Sequence, residues 1–164
     1  METKRVTFPR AYKLTDPAIN PLKGYVGLYL IYLGNLAIPY PFNESRLIYI
    51  GKSDSKQYSI GRRLRDHMSG AGNPGVYNYA QKYQLSFTYL NFERVKPFWK
   101  NSIEDLENHF INDFLKKFGN YPICNNKSSF EEIRLPPEIQ LEIDWDFFSP
   151  QTTIGDGAVR TEPA

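Results

Sequence analysis

Two apolar runs joined by a loop and followed at once by an arginine-bearing segment limit what this chain can fold into. Residues 24–33 read GYVGLYLIYL and residues 46–51 read RLIYIG. Successive side chains of a strand point to opposite faces. In the first run both faces are apolar, with Tyr25, Gly27, Tyr29, Ile31 and Leu33 on one and Val26, Leu28, Leu30 and Tyr32 on the other. Such a strand must be covered on both sides, which places it in a sheet flanked by other elements. The second run closes at Gly51, and Pro39 and Pro41 in the intervening loop forbid a central strand there.

After a polar loop, Ser59 is placed to N-cap a helix that runs to about Ser69. At about 100° per residue its inward stripe is Ile60, Leu64 and Met68, with His67 inside that stripe and Arg63 one turn back beside it. Arg62 and Arg65 point away. GAGNPG at residues 70–75 breaks the helix, residues 76–83 suit a short second one, and residues 85–92 alternate as a half-exposed third strand. The clearest helix starts after Ser102, where S-I-E-D makes a capping-box-like start, and stops before Gly119. Ile103, Leu106, Phe110, Ile111, Phe114, Leu115 and Phe118 form its apolar stripe, and Glu107 lies in the middle of it. A carboxylate on a buried face is costly unless compensated. Either a metal ion or a paired cation such as an arginine meets that need.

Charge is unevenly spread although the net value is only +2. Arg46, Lys52, Lys56, Arg62, Arg63 and Arg65 fall within twenty residues against the single acid Asp54, whereas residues 131–146 carry six acids against Arg134. The basic middle suits a polyanion such as nucleic acid, and equally a solvated face with no partner. Lys56, Arg62 and Arg65 are the candidates for backbone contacts. Residues 1–23 are expected to form an arm on the surface, residues 24–130 the main domain, residues 131–149 an acidic and apolar extension packed on it, and residues 150–164 a disordered tail. Cys124 stands alone, so no internal disulfide forms. The start of the chain carries no apolar signal segment, and no run approaches the roughly 20 apolar residues of a membrane span. A cytoplasmic location is expected.

Five of these segments, in order, resemble the GIY-YIG nucleases. Gly27-Leu28-Tyr29 stands for the first tripeptide and Tyr49-Ile50-Gly51 for the second. Arg63-Leu64-x-x-His67 resembles the family's arginine helix, Glu107 its metal-binding glutamate, and P-I-C-N its P-x-x-N ending, with Asn125 as the asparagine and Asn126 as the alternative. The match covers residues 24–126. Leu28 replaces the isoleucine of the name, and the loop between the tripeptides is longer than in compact members. That long loop and the YIGK start are closest to the restriction-endonuclease branch.

The resemblance implies an α/β (α+β) fold with a small, three-stranded, mainly antiparallel sheet flanked by helices. It also implies hydrolysis of DNA phosphodiesters with Mg²⁺ or Mn²⁺ held by Glu107. Tyr29 is the implied general base, with Lys52 the cation that stabilises its phenolate, since a free phenol ionises only near pH 10. Arg63 is suited to the non-bridging phosphate oxygens. Tyr49 and His67 would hydrogen-bond water, phosphate or Tyr29, and Asn125 would brace the site. A restriction role implies a homodimer that cuts both strands. Repair and mobile-element nucleases share the chemistry, and a catalytically silent DNA-binding module would share the basic face.

Overall fold

The structure, a computed structural model, describes residues 2–125 and 139–150. The acidic residues 131–138, Asn126 and the tail beyond residue 150 lie outside the described residues. The class is α+β. In chain order the elements are β1 (Glu2–Val6), β2 (Tyr12–Lys13), α1 (Asp16–Ile19), a 3₁₀ turn (Asn20–Leu22), β3 (Gly27–Leu33), β4 (Ile38–Pro39), β5 (Glu44–Ser45) and β6 (Leu47–Ser53). They continue with α2 (Ile60–Ser69), α3 (Pro74–Lys82), β7 (Leu85–Asn91), α4 (Phe92–Val95), α5 (Ile103–Phe118), β8 (Ile139–Ile143) and a final 3₁₀ turn (Trp145–Phe148).

The main sheet is antiparallel with strand order β2-β7-β3-β6. β3 is buried along its whole length, as its two apolar faces require. Leu28, Leu30 and Tyr32 pack with Leu106, Phe110 and Phe114 of α5, while Tyr29, Ile31 and Leu33 pack with Ile60 and Leu64 of α2. The sheet therefore separates two cores, and β6 forms one edge between them. A register shift between Ile31 and Tyr32 leaves Ile48 as an extra residue in β6, a bulge that turns both Ile48 and Tyr49 toward the α2 side.

Three expectations change. The sheet has four strands instead of three, because residues 12–13 of the N-terminal segment add β2 alongside β7. That segment is therefore no surface arm: Val6, Phe8, Leu14, Ile19 and Leu22 are all buried. β7 in turn becomes an interior strand, buried from Leu85 to Thr88 instead of half-exposed. β1 also pairs in parallel with β8, which ties the two ends of the described chain together. Arg46, counted above in the basic surface, turns inward over the Tyr32 ring and donates to the carbonyls of Phe147 and Ser149. A buried guanidinium is tolerated where several carbonyls accept from it.

The helices begin and end where capping chemistry sets them. The Ser59 hydroxyl accepts from the Arg62 N–H at the start of α2, which ends at Gly70 with φ 89°. Asn73 caps α3, with Pro74 opening it, so that helix starts earlier than expected. Ser102 caps α5, and Gly119 ends it with φ 82°.

Candidate active site

Register brings the first site residues together. Tyr29 lies directly across from Gly51, and Ile31 from Tyr49, so both phenols project from the α2 face. The two rings are 6.2 Å apart. A Cβ on Gly51 would overlap the Tyr29 ring. The glycine that closes the second tripeptide therefore provides the space in which that ring lies.

His67 reaches the same spot from α2, with Nε2 2.9 Å from the Tyr29 hydroxyl. Its other nitrogen accepts the Asn73 backbone N–H at 3.0 Å. A neutral imidazole that accepts at Nδ1 carries its proton on Nε2, so His67 donates to the Tyr29 oxygen. The loop comes this close because Gly72 lacks a side chain, since a Cβ there would sit 2.6 Å from Nδ1. Burial, above all, lowers the His67 pKa to about 4, against the neighbouring Asp66 and together with Arg63. The imidazole is thus neutral at physiological pH.

Burial likewise pushes the Tyr29 pKa well above its ordinary 10, with Tyr49 adding to the rise both as a neighbour and as a hydrogen-bond partner. Tyr49 is raised to about 12, chiefly by burial and then by Glu107, whereas its bond with Tyr29 acts to lower it. Both phenols therefore keep their protons in the free protein.

Arg63 and Glu107 bring opposite charges to the two phenols, Arg63 lowering both pKa values and Glu107 raising both. Arg63 is half-buried, its guanidinium 5.5 Å from the Tyr58 ring, and its buried Nε has no hydrogen-bond partner among the described residues. Glu107 is buried at 7% exposure and comes from α5, on the far side of the sheet. Its charge nevertheless bears on both phenols, raising both pKa values.

Lys52 lies on the other sheet face from the phenols, and Asn125 contacts the strand that carries Tyr49. Lys52 sits opposite Leu28, on the α5 face of β6, and pairs with Asp54 at 3.5 Å. Strand alternation thus puts it on the other side of the sheet from Tyr29. Asn125 faces the backbone of β6: its Oδ1 accepts the Ile50 N–H at 2.9 Å and its Nδ2 donates to the Ile50 carbonyl at 2.8 Å. The preceding Cys124 N–H donates to the Ile48 carbonyl at 2.8 Å. This two-point clip fixes the strand that carries Tyr49 and Gly51.

Lys56, Arg62 and Arg65 line a cleft of 350 Å³ together with Lys23 and Gly24. Arg62 lies over the Tyr58 ring, 4.8 Å from its centre. Arg65 is held by the Asn20 side chain at 2.7 Å and by Asp16 at 3.7 Å, so it also fastens α1 to α2.

Sequence reasoning missed Asn73, whose backbone sets the His67 tautomer and whose Nδ2 donates to the Cys124 carbonyl at 2.8 Å. Its signal was the Asn-Pro pair, an N-cap followed by a first-turn proline.

Among the described residues no three His, Cys, Asp or Glu side chains gather into a metal-ligand group. A single buried carboxylate does not suit Zn²⁺, which needs several protein ligands. It suits Mg²⁺, which keeps several waters and takes one or two carboxylates together with substrate phosphate oxygens. The chain matches no protein-family model, no curated protein and no solved structure. No helix of the described residues is long and apolar enough to cross a membrane.

Proposed function

We propose that this protein is a Mg²⁺-dependent DNA endonuclease of the GIY-YIG type, with the closest likeness to the restriction branch. The observation that supports the reading is the cluster of Tyr29, Tyr49 and His67 on one sheet face, with the charges of Arg63 and Glu107 acting on both phenols. A core tyrosine pair needs neither a tautomer-locked imidazole nor two opposite charges beside it.

Phosphodiester hydrolysis needs an activated water, neutralisation of charge on the phosphoryl oxygens and help for the leaving oxygen. Arg63, with its unpartnered buried Nε, can point a fork of N–H donors at non-bridging oxygens. Glu107 would hold the metal ion, which when bound supplies positive charge beside the scissile phosphate. Tyr29 acts as a base only after losing its proton, and in the free protein burial opposes that loss. Two features of this chain favour the loss. The His67 N–H donates to the phenolate oxygen, and Arg63 stabilises the negative charge. Lys52, on the opposite face, has no direct part in this step.

The test is incubation of supercoiled plasmid and genomic DNA with Mg²⁺ and with chelator, using the wild-type protein and Glu107→Ala, followed by end-mapping. Mg²⁺-dependent cutting that falls by about a thousandfold or more in the variant is the expected result. Undiminished cutting by Glu107→Ala removes the metal role. Salt-sensitive binding with no cutting by the wild type replaces the reading with a silent DNA-binding module. Discrete ends would mark a restriction-like enzyme, and scattered nicks a structural target.

A further inference from the structure

A second cleft, of 590 Å³, opens on the same sheet face at the other side of α2, away from Tyr49 and the β6 edge. Its walls are aromatic and basic. Tyr12, Tyr25 and Tyr89 line it with Arg10 and Lys13, and no carboxylate is among its lining residues. The three rings form a connected set, with Tyr12 6.0 Å and Tyr25 6.3 Å from Tyr89. Tyr12 is backed on Phe87 in a stacked pair 5.3 Å apart, and the Arg10 guanidinium lies 4.8 Å from its centre. Tyr25, at 40% exposure, leaves much of its side chain open to solvent. The floor is stiff, made of Pro17, Pro21 and Leu22.

Its position is also informative. Tyr89 is the register partner of Tyr29 on the neighbouring strand, so the cleft borders the candidate active site along one cross-strand row. The Tyr25 carbonyl accepts the Ile60 N–H at 2.8 Å, which joins the cleft wall to the start of the helix that carries Arg63. Leu22 and Tyr25 line this cleft, while Lys23 and Gly24 between them line the basic cleft with Lys56 and Arg62. The two clefts thus adjoin at residues 22–25, and the basic one carries Arg62, next in sequence to Arg63.

We propose that the tyrosine cleft is a nucleobase pocket. It takes an unpaired base of a DNA strand whose phosphates follow Lys23, Lys56 and Arg62. The volume lies within the usual range for small-ligand sites, about 300–1,000 Å³. Aromatic rings beside cations recognise any base by its π-face, and each stacked base adds a factor of roughly five to a hundred to affinity. The pocket gives this protein a preference for DNA with an extruded or single-stranded nucleotide at this face, which a groove of cations alone would not supply. The inference rests on the nucleic-acid reading of the basic face and is independent of hydrolysis.

The test is fluorescence anisotropy in the presence of chelator. It compares a short labelled oligothymidylate with an abasic phosphodiester oligomer of equal length and charge. The wild-type protein is expected to prefer the oligothymidylate by roughly fivefold to a hundredfold. Tyr25→Ala brings that ratio close to one, while Tyr25→Phe, which keeps the ring, retains it. Both substitutions leave the backbone bond to Ile60 in place, and matching thermal melts check the fold. Equal wild-type affinity for the two oligomers overturns the proposal, as does a ratio that survives in Tyr25→Ala or is lost equally in Tyr25→Phe. Cleavage of plasmid by wild type is scored separately. A protein that cuts without discriminating has lost the base pocket alone, and one that discriminates without cutting has lost only the hydrolytic reading.

Discussion

The two halves of the candidate site are built in different ways. On the α2 side, the Asn73 N–H fixes His67 and His67 in turn donates to the Tyr29 hydroxyl, with the Tyr49 ring packed beside both. Loop approach at Gly72 and the bare Cα of Gly51 make room for it. On the charged side, Arg63 keeps a buried Nε without a partner among the described residues, and Glu107 arrives from the opposite core. The first half is closed by hydrogen bonds within the fold, whereas the second leaves the Arg63 Nε open among the described residues. On the proposed reading, folding fixes the geometry and a bound phosphate meets the arginine.

The most severe way to break this contrast is Tyr29→Phe, which removes one oxygen from the preset half and leaves the ring over Gly51. Cleavage is expected to fall by about a thousandfold or more with DNA affinity within about twofold. In the wild type the rate should climb with pH from 6 to 9, close to tenfold per unit, because a raised pKa leaves only a small phenolate fraction that grows with pH. A flat profile, or near-normal rates in Tyr29→Phe, would unseat Tyr29 as the base.

Arg63→Ala probes the other half. A loss near a hundredfold in turnover is expected, with much less change in binding, as for a donor that acts on developing charge. If only DNA affinity falls, Arg63 is an anchor and the division of labour fails.

Asn125→Ala leaves the Ile50 N–H and carbonyl without their partner and should cost about 2–3 kcal/mol, lowering Tm by roughly 5–10 °C. An unchanged Tm would mean that β6 is held by other contacts.

The smallest effect is read in acid. His67 titrates near 4 when folded, below its ordinary 6.5, so the unfolded chain takes up the proton first as pH falls. The stabilisation from keeping the ring neutral is complete above pH 6.5 and is lost as pH drops from 6.5 through 4. Between pH 7 and pH 5 the loss is on the order of 2 kcal/mol, and His67→Gln should show less of it in urea midpoints. Identical acid slopes for both proteins would remove His67 from the preset half.

Much of this arrangement could be read from local pattern. β3 announced itself through two apolar faces, and Glu107 through its place in an apolar helical stripe. Tyr29 and Tyr49 were singled out by the resemblance of residues 27–29 and 49–51 to the GIY-YIG tripeptides, and the bulge at Ile48 that puts them on one face left no local signal. The parts that were hidden depend on distant partners. β2 spans two residues, too short for any periodic signal, and β1 finds its partner only at Ile139–Ile143. Arg46 looked like surface charge because the carbonyls that satisfy it come from the end of β3 and from residues 147 and 149, which only the folded chain brings to it. Lys52 was placed beside Tyr29 by resemblance, although alternation from Gly51 already sent it to the other face.

The clip made by Asn125 and Cys124 has one further consequence. An outer strand ordinarily offers a row of open amide groups on which another polypeptide can add. Here the groups of Ile50 and the carbonyl of Ile48 are already taken. Two copies of this protein cannot join by continuing the sheet through those positions, so any pairing must use a different surface, and stray β-rich segments find no template there.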